Sequence, residues 1–170
     1  FQKAIRSLEN GKYGLGFVKD FAKKSKHDLL KMLAVPTSER QFIMYEALRK
    51  GATVEELFER TKIKHYFIEQ MKELVEEEEE LLRGKGSVPE KEALRQAKLD
   101  GFSDKYLSEI LEVPECEIRK ARIEAGIQEA WEGVHVSATK DSAYYFSSYH
   151  IQDESTVSTD RPKIMILGGG

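Results

Sequence analysis

The 170-residue chain is 40% hydrophobic and 34% charged, with a net charge of −3, which predicts one globular domain, or two small ones, with a heavily charged surface. Its single cysteine, Cys116, excludes an internal disulfide framework and favours a reducing, cytosolic compartment, and no apolar run approaches the length that crosses a membrane. Residues 1–50 carry a net +6, residues 51–100 carry −4 and residues 101–170 carry −5, and neither sign is strong enough to indicate nucleic acid or a membrane as the partner.

Helix start and stop signals divide the first half of the chain into short helices. The predicted helices are one within FQKAIRSLENG (1–11) that Gly11 ends, 26–33, one that runs from a cap at Thr37 or Ser38 to Gly51, VEELFER (54–60), and about Lys64 to Leu82. Thr53 caps the fourth helix, and Glu56 three residues later completes a capping box. The stretch GKYGLG (11–16) has no strand before it, so we interpret it as a turn rather than a phosphate-binding loop.

The fifth predicted helix has an apolar face and an acidic end. The apolar face is predicted to contain Phe67, Met71, Leu74 and Val75. Five glutamates follow at 76–80, and because neighbouring like charges repel each other, we expect a solvated face or a fraying end rather than a metal or partner site. GKGSVP (84–89) is predicted to be a hinge between two helical clusters.

The second half of the chain changes character near residue 134. Four further helices are predicted before that point, at about 90–99, 104–111, 115–124 and 126–131. The segment that follows is aromatic and rich in hydroxyl groups, and its candidate interaction residues are Tyr144, Tyr145, Phe146 and Tyr149. It fits either an aromatic binding surface or an extended arm across a neighbouring domain. We favour the arm, because it leads through a polar linker (151–162) into an apolar strand.

The last eight residues, KIMILGGG (163–170), have the pattern of a strand buried on both faces that runs into glycines. In nucleotide-binding α/β units, such a strand leads to a phosphate-cradling turn and then to a helix. That helix is not part of this sequence, so we predict no nucleotide site here. Since the sequence also begins at Phe1, we expect it to be a piece of a longer protein.

An internal repeat relates 51–68 to 101–118 without a gap, at an offset of 50 positions. The matched pairs are a C′ glycine, an N-cap and three apolar positions: Gly51 and Gly101, Thr53 and Ser103, Leu57 and Leu107, Ile63 and Val113, Ile68 and Ile118. Two short helices joined in this way form a helix-turn-helix unit, which the chain therefore uses twice.

A helix-turn-helix unit can bind DNA through its second helix, and in the second copy that helix carries Arg119, Lys120 and Arg122. The region around it has a net negative charge, whereas a groove-binding helix must neutralise phosphates. We therefore favour hairpins that pack against neighbouring helices, and a nucleic-acid-binding module is the alternative. Arg119 and Arg122 remain candidates for contacts with a partner.

Residues with catalytic potential are scarce. No histidine has a second histidine or a cysteine three or four positions away, so the sequence predicts no zinc pair. Cys116 lies between Glu115 and Glu117, whose charges should keep its thiol protonated and unreactive. We predict no catalytic, cofactor-binding or metal-binding residues.

The order of these features resembles the central, oligomerisation region of the carbamoyl-phosphate synthase large subunit, and the resemblance covers essentially the whole chain. The segments that carry it are FQKAIRSLENG (1–11), ELFERTKIKHYFIEQMKELV (56–75), GFSDKYLSEILEVPECEIRKAR (101–122), AYYFSSY (143–149) and TDRPKIMILGGG (159–170). The chain departs from the family's pattern at Lys64 and Tyr66, where the family has an acidic residue and a tryptophan. A second departure is VHVSA (134–138), which bears on the arm.

The resemblance implies a mostly α fold of two helical clusters, followed by the arm and one C-terminal strand. It implies that 1–16 ends a first synthetase half, 17–133 is the oligomerisation domain divided near 84–89, 134–162 is the arm and linker, and 163–170 begins a second synthetase half. The parent enzyme makes carbamoyl phosphate from bicarbonate, glutamine-derived ammonia and two ATP, with Mg or Mn. The expected partners are other large subunits, the flanking synthetase halves and a glutaminase small subunit, all in the cytoplasm.

Overall fold

A computed structural model describes residues 1–134, 144–156 and 159–164 of the chain. These form two compact units, Phe1–Ile127 and Gln128–Gly170. The helices of the first unit are α1 (Gln2–Ser7), a 3₁₀ turn (Phe21–Lys23), α2 (Lys26–Met32), α3 (Arg40–Arg49), α4 (Val54–Thr61), α5 (His65–Leu82), α6 (Lys91–Leu99), α7 (Asp104–Leu111) and α8 (Glu115–Glu124). The second unit contains β1 (Ala130–Gly133) and β2 (Tyr145–Ser148). The fold is therefore mostly α, as predicted.

The repeat is confirmed as two helical hairpins, α4–α5 and α7–α8, whose helices begin at positions that are 50 residues apart. Thr53 accepts a hydrogen bond from the backbone N–H of Glu56, whose side chain accepts one from the N–H of Thr53, and this completes the predicted capping box. Ser103 caps α7 in the same position. Each first helix ends at a left-handed residue, Lys62 or Glu112, which turns the chain into the second helix.

Both hairpins bury two of the three apolar pairs that the repeat identified; in the third pair Val113 is buried and Ile63 is partly buried. Leu57 and Leu107 are fully buried, as are Ile68 and Ile118, and each such side chain stabilises the fold by about 1.5–3 kcal/mol. Helix α5 is the central element, because it packs against α3, α4 and α7. This position brings residues of α5 into contact with helices that precede it in the sequence and with α7, which follows it.

The predicted start of α3 is wrong. The helix begins at Arg40, and its N-cap is Glu39 rather than Thr37 or Ser38. The hydroxyl of Thr37 accepts a hydrogen bond from the N–H of Glu39 (3.3 Å), two residues later. A Thr hydroxyl that bonds the backbone in this way organises a turn before the helix instead of capping it.

The apolar face of α5 is displaced by one residue from the prediction at its start. Phe67 is 49% exposed and stacks edge-on against Tyr66, whereas Ile68 is fully buried. Met71 and Val75 are buried as predicted, and the stripe continues to Glu78 and Leu81. Helical spacing from Ile68 therefore carries the buried face into the acidic run.

The predicted helix at 126–131 is wrong, because Gly126 ends α8 in a left-handed conformation and β1 begins at Ala130. β1 pairs antiparallel with β2, so Ala130 lies opposite Ser148 and Gly133 lies opposite Tyr145. β2 is extended, as the arm hypothesis expects, but it belongs to a hairpin that we did not predict. The predicted strand at 164–167 lies, except for Ile164, outside the described residues, and the domain boundaries inferred from the resemblance stay predictions.

Candidate functional site

Glu78 lies at the centre of a buried polar cluster in the first unit, so the expectation that 76–80 forms a solvated face is wrong at this position. Its side chain is 0% exposed. Carboxylate oxygen Oε2 accepts hydrogen bonds from the hydroxyls of Tyr45 on α3 (2.7 Å) and Tyr106 on α7 (2.8 Å). Oxygen Oε1 pairs with Nη2 of Arg49. One carboxylate therefore joins three helices.

Arg49 completes the charge balance of this cluster. Its guanidinium pairs with Glu78 and Glu79, and its Nε lies 3.4 Å from Glu46. The guanidinium carbon also lies 4.3 Å from the centre of the Phe17 ring, a cation–π distance. Glu46 is buried too, and its carboxylate oxygens make no hydrogen bond to any described residue, so the nearby guanidinium offsets its charge through space.

The Gly-rich segment reaches the cluster because it lacks side chains at two positions. The N–H of Gly16 donates to the hydroxyl of Tyr106 (3.0 Å). A Cβ on Gly14 would lie 2.4 Å from the Tyr106 ring, and one on Gly16 would lie 2.5 Å from Oε1 of Glu78. The segment is irregular backbone with several bends, and its glycines permit a close approach to α7.

The electrostatics of the cluster favour one protonation state. Burial, together with the charge of Glu78, raises the pKa of both Tyr45 and Tyr106 far above the ordinary value of a phenol, so both keep their protons and donate them. Burial opposes the charge of Arg49, but Glu78 raises the pKa of this guanidinium. The result is a fixed set of donors around one acceptor, which holds helices together and offers no nucleophile or mobile proton.

A second buried ion cluster lies at the start of α7. Nζ of Lys98 donates to Oδ1 of Asp104 (2.8 Å) and to the carbonyl of Phe102 (2.7 Å). Nε of Arg122 donates to Oδ2 of Asp104 (3.1 Å), and its Nη1 donates to the carbonyl of Ile127 (3.0 Å). Burial lowers the pKa of Lys98. Burial would also raise the pKa of Asp104, but the bond and charge of Lys98 lower it.

The basic residues of α8 have internal partners. The Arg122 side chain is 12% exposed and is held by Asp104. Arg119 pairs with Glu115 (2.7 Å) and lies 4.0 Å from Asp104, and Lys120 lies 3.9 Å from Glu124. A helix that reads a DNA groove needs cations for phosphates, and here these cations face carboxylates of the same chain.

The predicted aromatic residues of the second unit lie mostly on its surface. Tyr144, Tyr145 and Phe146 are 74%, 51% and 42% exposed. The Tyr149 hydroxyl donates to Glu129 (3.2 Å). Trp131 on β1, which the sequence reasoning missed, is 44% exposed. No local signal marked this strand, because three of its four residues, AWEG, are unfavourable in strands.

Other potential ligands remain separate within the described part of the chain, where no group of three or more His, Cys, Asp or Glu side chains could hold a metal ion. Cys116 is exposed. Among the described helices, none is long and apolar enough to span a membrane. His135 lies outside the described residues.

Comparisons with known proteins agree on one family. Residues 1–126 match the family described as carbamoyl-phosphate synthetase large chain, oligomerisation domain. The carbamoyl phosphate synthase large chains of Archaeoglobus fulgidus and Halomonas eurihalina are 39% and 40% identical over 99% of this chain. The arginine-specific large chain of Arabidopsis thaliana, described as chloroplastic, is 37% identical over 100% of it. The chain spans only 15–16% of the length of these relatives, and none of the three is named for nucleic-acid binding.

Proposed function

The chain belongs to the carbamoyl-phosphate synthetase large chain oligomerisation domain family, and from this premise we propose that it brings large chains together and spaces the synthetase halves on either side of it. The family is the one that the sequence resemblance predicted. The proposal assigns no chemical step to the chain.

The observation that carries the proposal is the exposure of four aromatic side chains in the second unit: Trp131 and Tyr145 lie on one face of the β1–β2 hairpin, and Tyr144 and Phe146 lie on the other. Exposed aromatic side chains are typical of protein–protein contacts, because they bury a large apolar area at a small entropic cost. The polar cluster around Glu78 supports the same function, since it fixes the packing of helices without a reactive group. Firmly packed helices in the first unit and exposed aromatic side chains in the second are each consistent with a role in assembly.

The parent protein's activity is part of the proposal. We infer that the parent is an ATP-dependent ligase that makes carbamoyl phosphate from bicarbonate, glutamine-derived ammonia and two ATP. ATP and its Mg or Mn would bind in the synthetase halves, and a glutaminase small subunit would supply ammonia. The product would enter arginine or pyrimidine biosynthesis, in a cytosolic compartment that the single cysteine favours.

Two measurements on the purified chain test this division of labour. Static light scattering at increasing concentration should show a mass above that of a monomer, because association would bury the exposed aromatic side chains. Bicarbonate-dependent ATP hydrolysis should be absent. A strict monomer at high concentration would reject self-assembly, and ATP turnover by this chain alone would reject the assignment of chemistry to the flanking halves.

A further inference from the structure

The two edges of the β1–β2 hairpin differ in how their backbone groups are satisfied. In an antiparallel pair, residues point their N–H and C=O alternately toward the partner strand and away from it. The Val134 N–H donates to the Tyr144 carbonyl (2.9 Å), so the next inward-pointing pair is Glu132 with Phe146. The backbone N–H and C=O groups of Trp131 and Gly133 therefore point away from β2, and those of Tyr145 and Ser147 point away from β1.

The outer edge of β1 is capped by acidic side chains. The N–H of Trp131 donates to Asp153 (3.0 Å) and the N–H of Gly133 donates to Glu154 (3.1 Å). The backbone N–H of Glu154 returns a bond to the Trp131 carbonyl (2.8 Å). Carboxylates on an edge strand prevent another strand from pairing with it.

Among the residues that the structure describes, none caps the outer edge of β2 in this way. The outward N–H and C=O groups of Tyr145 and Ser147 make no hydrogen bond to any residue that the structure describes. An unpaired strand edge of this kind is a template for an added strand. A two-stranded hairpin is marginally stable by itself, so a third strand here would also stabilise the unit.

We propose that β2 pairs antiparallel with β2 of a second copy of this chain, in a register centred on Phe146. The proposal rests on the assembly function above and names the contact that it uses. In this register, Tyr145 of each copy exchanges N–H···O=C bonds with Ser147 of the other, which makes four backbone hydrogen bonds and a continuous four-stranded sheet. The two Phe146 rings then lie directly opposite each other on one face, which is a favourable aromatic cross-strand pair.

The chemistry of the edge favours a second copy as the occupant. The segment 144–148 reads YYFSS and contains no charged residue, so two copies can approach without like-charge repulsion. The register uses the same residues on both sides, which is the requirement of a twofold interface. Two four-residue strands bury much less than the roughly 1,200 Å² of a stable interface, so this pairing sets the register of a larger contact.

Disulfide cross-linking tests the register in the full chain, with Cys116→Ser as the background. A cysteine at Phe146 would lie about 4.5 Å, Cα to Cα, from its counterpart in a non-hydrogen-bonded pair, which is within disulfide reach. A cysteine at Ser148 would lie about 13 Å from its counterpart. We expect Phe146→Cys to form a covalent dimer under mild oxidation and Ser148→Cys to remain largely monomeric. Equal cross-linking of the two variants, or none by Phe146→Cys, would overturn the proposed register.

A proline at position 147 provides a second test that leaves the hairpin intact, because only its outward N–H is removed. Losing two of the four hydrogen bonds should weaken association by about tenfold or more relative to Ser147→Ala, which keeps the N–H. Equal association of the two variants would reject β2 pairing. If the wild-type chain associates while both tests fail, assembly stands and only this contact is wrong, whereas a monomeric wild-type chain rejects both.

Discussion

The replacement Glu78→Gln should destabilise the first unit strongly, because this carboxylate of α5 accepts hydrogen bonds from both α3 and α7. Glutamine keeps the size of the side chain but removes the charge that balances Arg49, whose side chain is 10% exposed. Its amide group also adds two donors in a place where Tyr45, Tyr106 and Arg49 already donate. At least one donor must then stay unpaired in the interior.

The expected magnitude follows from burial. Removing one member of a buried ion pair costs about 3–5 kcal/mol, and because Arg49 keeps its contact with Glu79, we expect about 3 kcal/mol. For a chain of this size, that loss lowers the melting temperature by about 6–12 °C. Urea unfolding followed by circular dichroism measures the free energy, and a thermal scan measures the midpoint.

Glu79→Gln is the matched control, since it removes the neighbouring carboxylate from the same guanidinium at a side chain that is 47% exposed. Water screens this pair, so we expect a loss below about 1 kcal/mol. If Glu78→Gln costs no more than Glu79→Gln, the cluster does not hold the helices together and the reasoning from burial is wrong.

Three further predictions concern the turn, the second ion cluster and the helix cap. Gly14→Ala should destabilise the chain by about 1–3 kcal/mol in urea, because its Cβ would overlap an aromatic ring, whereas Gly84→Ala, whose Cβ meets no atom closer than 3.5 Å, should be nearly neutral. Asp104→Asn should lower stability at neutral pH. Since Lys98 lowers the folded pKa of Asp104 despite burial, the advantage of the wild type should be complete above about pH 4 and disappear as the pH falls through that folded pKa. An advantage that persists at lower pH would contradict this origin. Thr53→Ala should lower the free energy of unfolding by about 1 kcal/mol, whereas Thr53→Ser should lower it much less because serine keeps the capping hydroxyl. Equal losses in the two variants would show that the cap contributes nothing.

Local signals explain why much of the fold could be predicted from the sequence. The limits of α4 and α7 follow from an N-cap hydroxyl, a preceding glycine and apolar spacing, all within a dozen residues. The capping box at Thr53 depends on two side chains that are three residues apart. Such features depend on neighbouring residues and not on the rest of the fold, so the repeat could be recognised from the sequence alone.

The features that were missed depend on partners far along the chain. Glu78 is buried because the fold brings Tyr45 and Tyr106 to it, and these residues are 33 and 28 positions away in the sequence. Within the glutamate run, only its helical spacing from Met71 and Val75 distinguishes it. β1 forms because β2 pairs with it, whereas its own four residues have no strong strand preference. Pairing between distant segments overrides local propensity in both cases.

The candidate interaction residues also divide into those that local sequence identifies and one whose distant partner the sequence did not reveal. The aromatic residues were found because a cluster of rings among hydroxyl side chains stands out in the sequence, and three of them are exposed. Arg122 looked available because its charge lies on an amphipathic helix, yet Asp104 sits 18 positions earlier and pairs with it. Its role as a partner contact remains a prediction.

Sedimentation velocity of the folded chain over a wide range of concentrations tests the central claim most directly. If the chain is an assembly domain, its weight-average sedimentation coefficient should rise with concentration toward that of a dimer or a larger oligomer, without ATP or any other ligand. A coefficient that stays at the monomer value at every concentration, in a sample whose circular dichroism shows the helical fold, would contradict the claim.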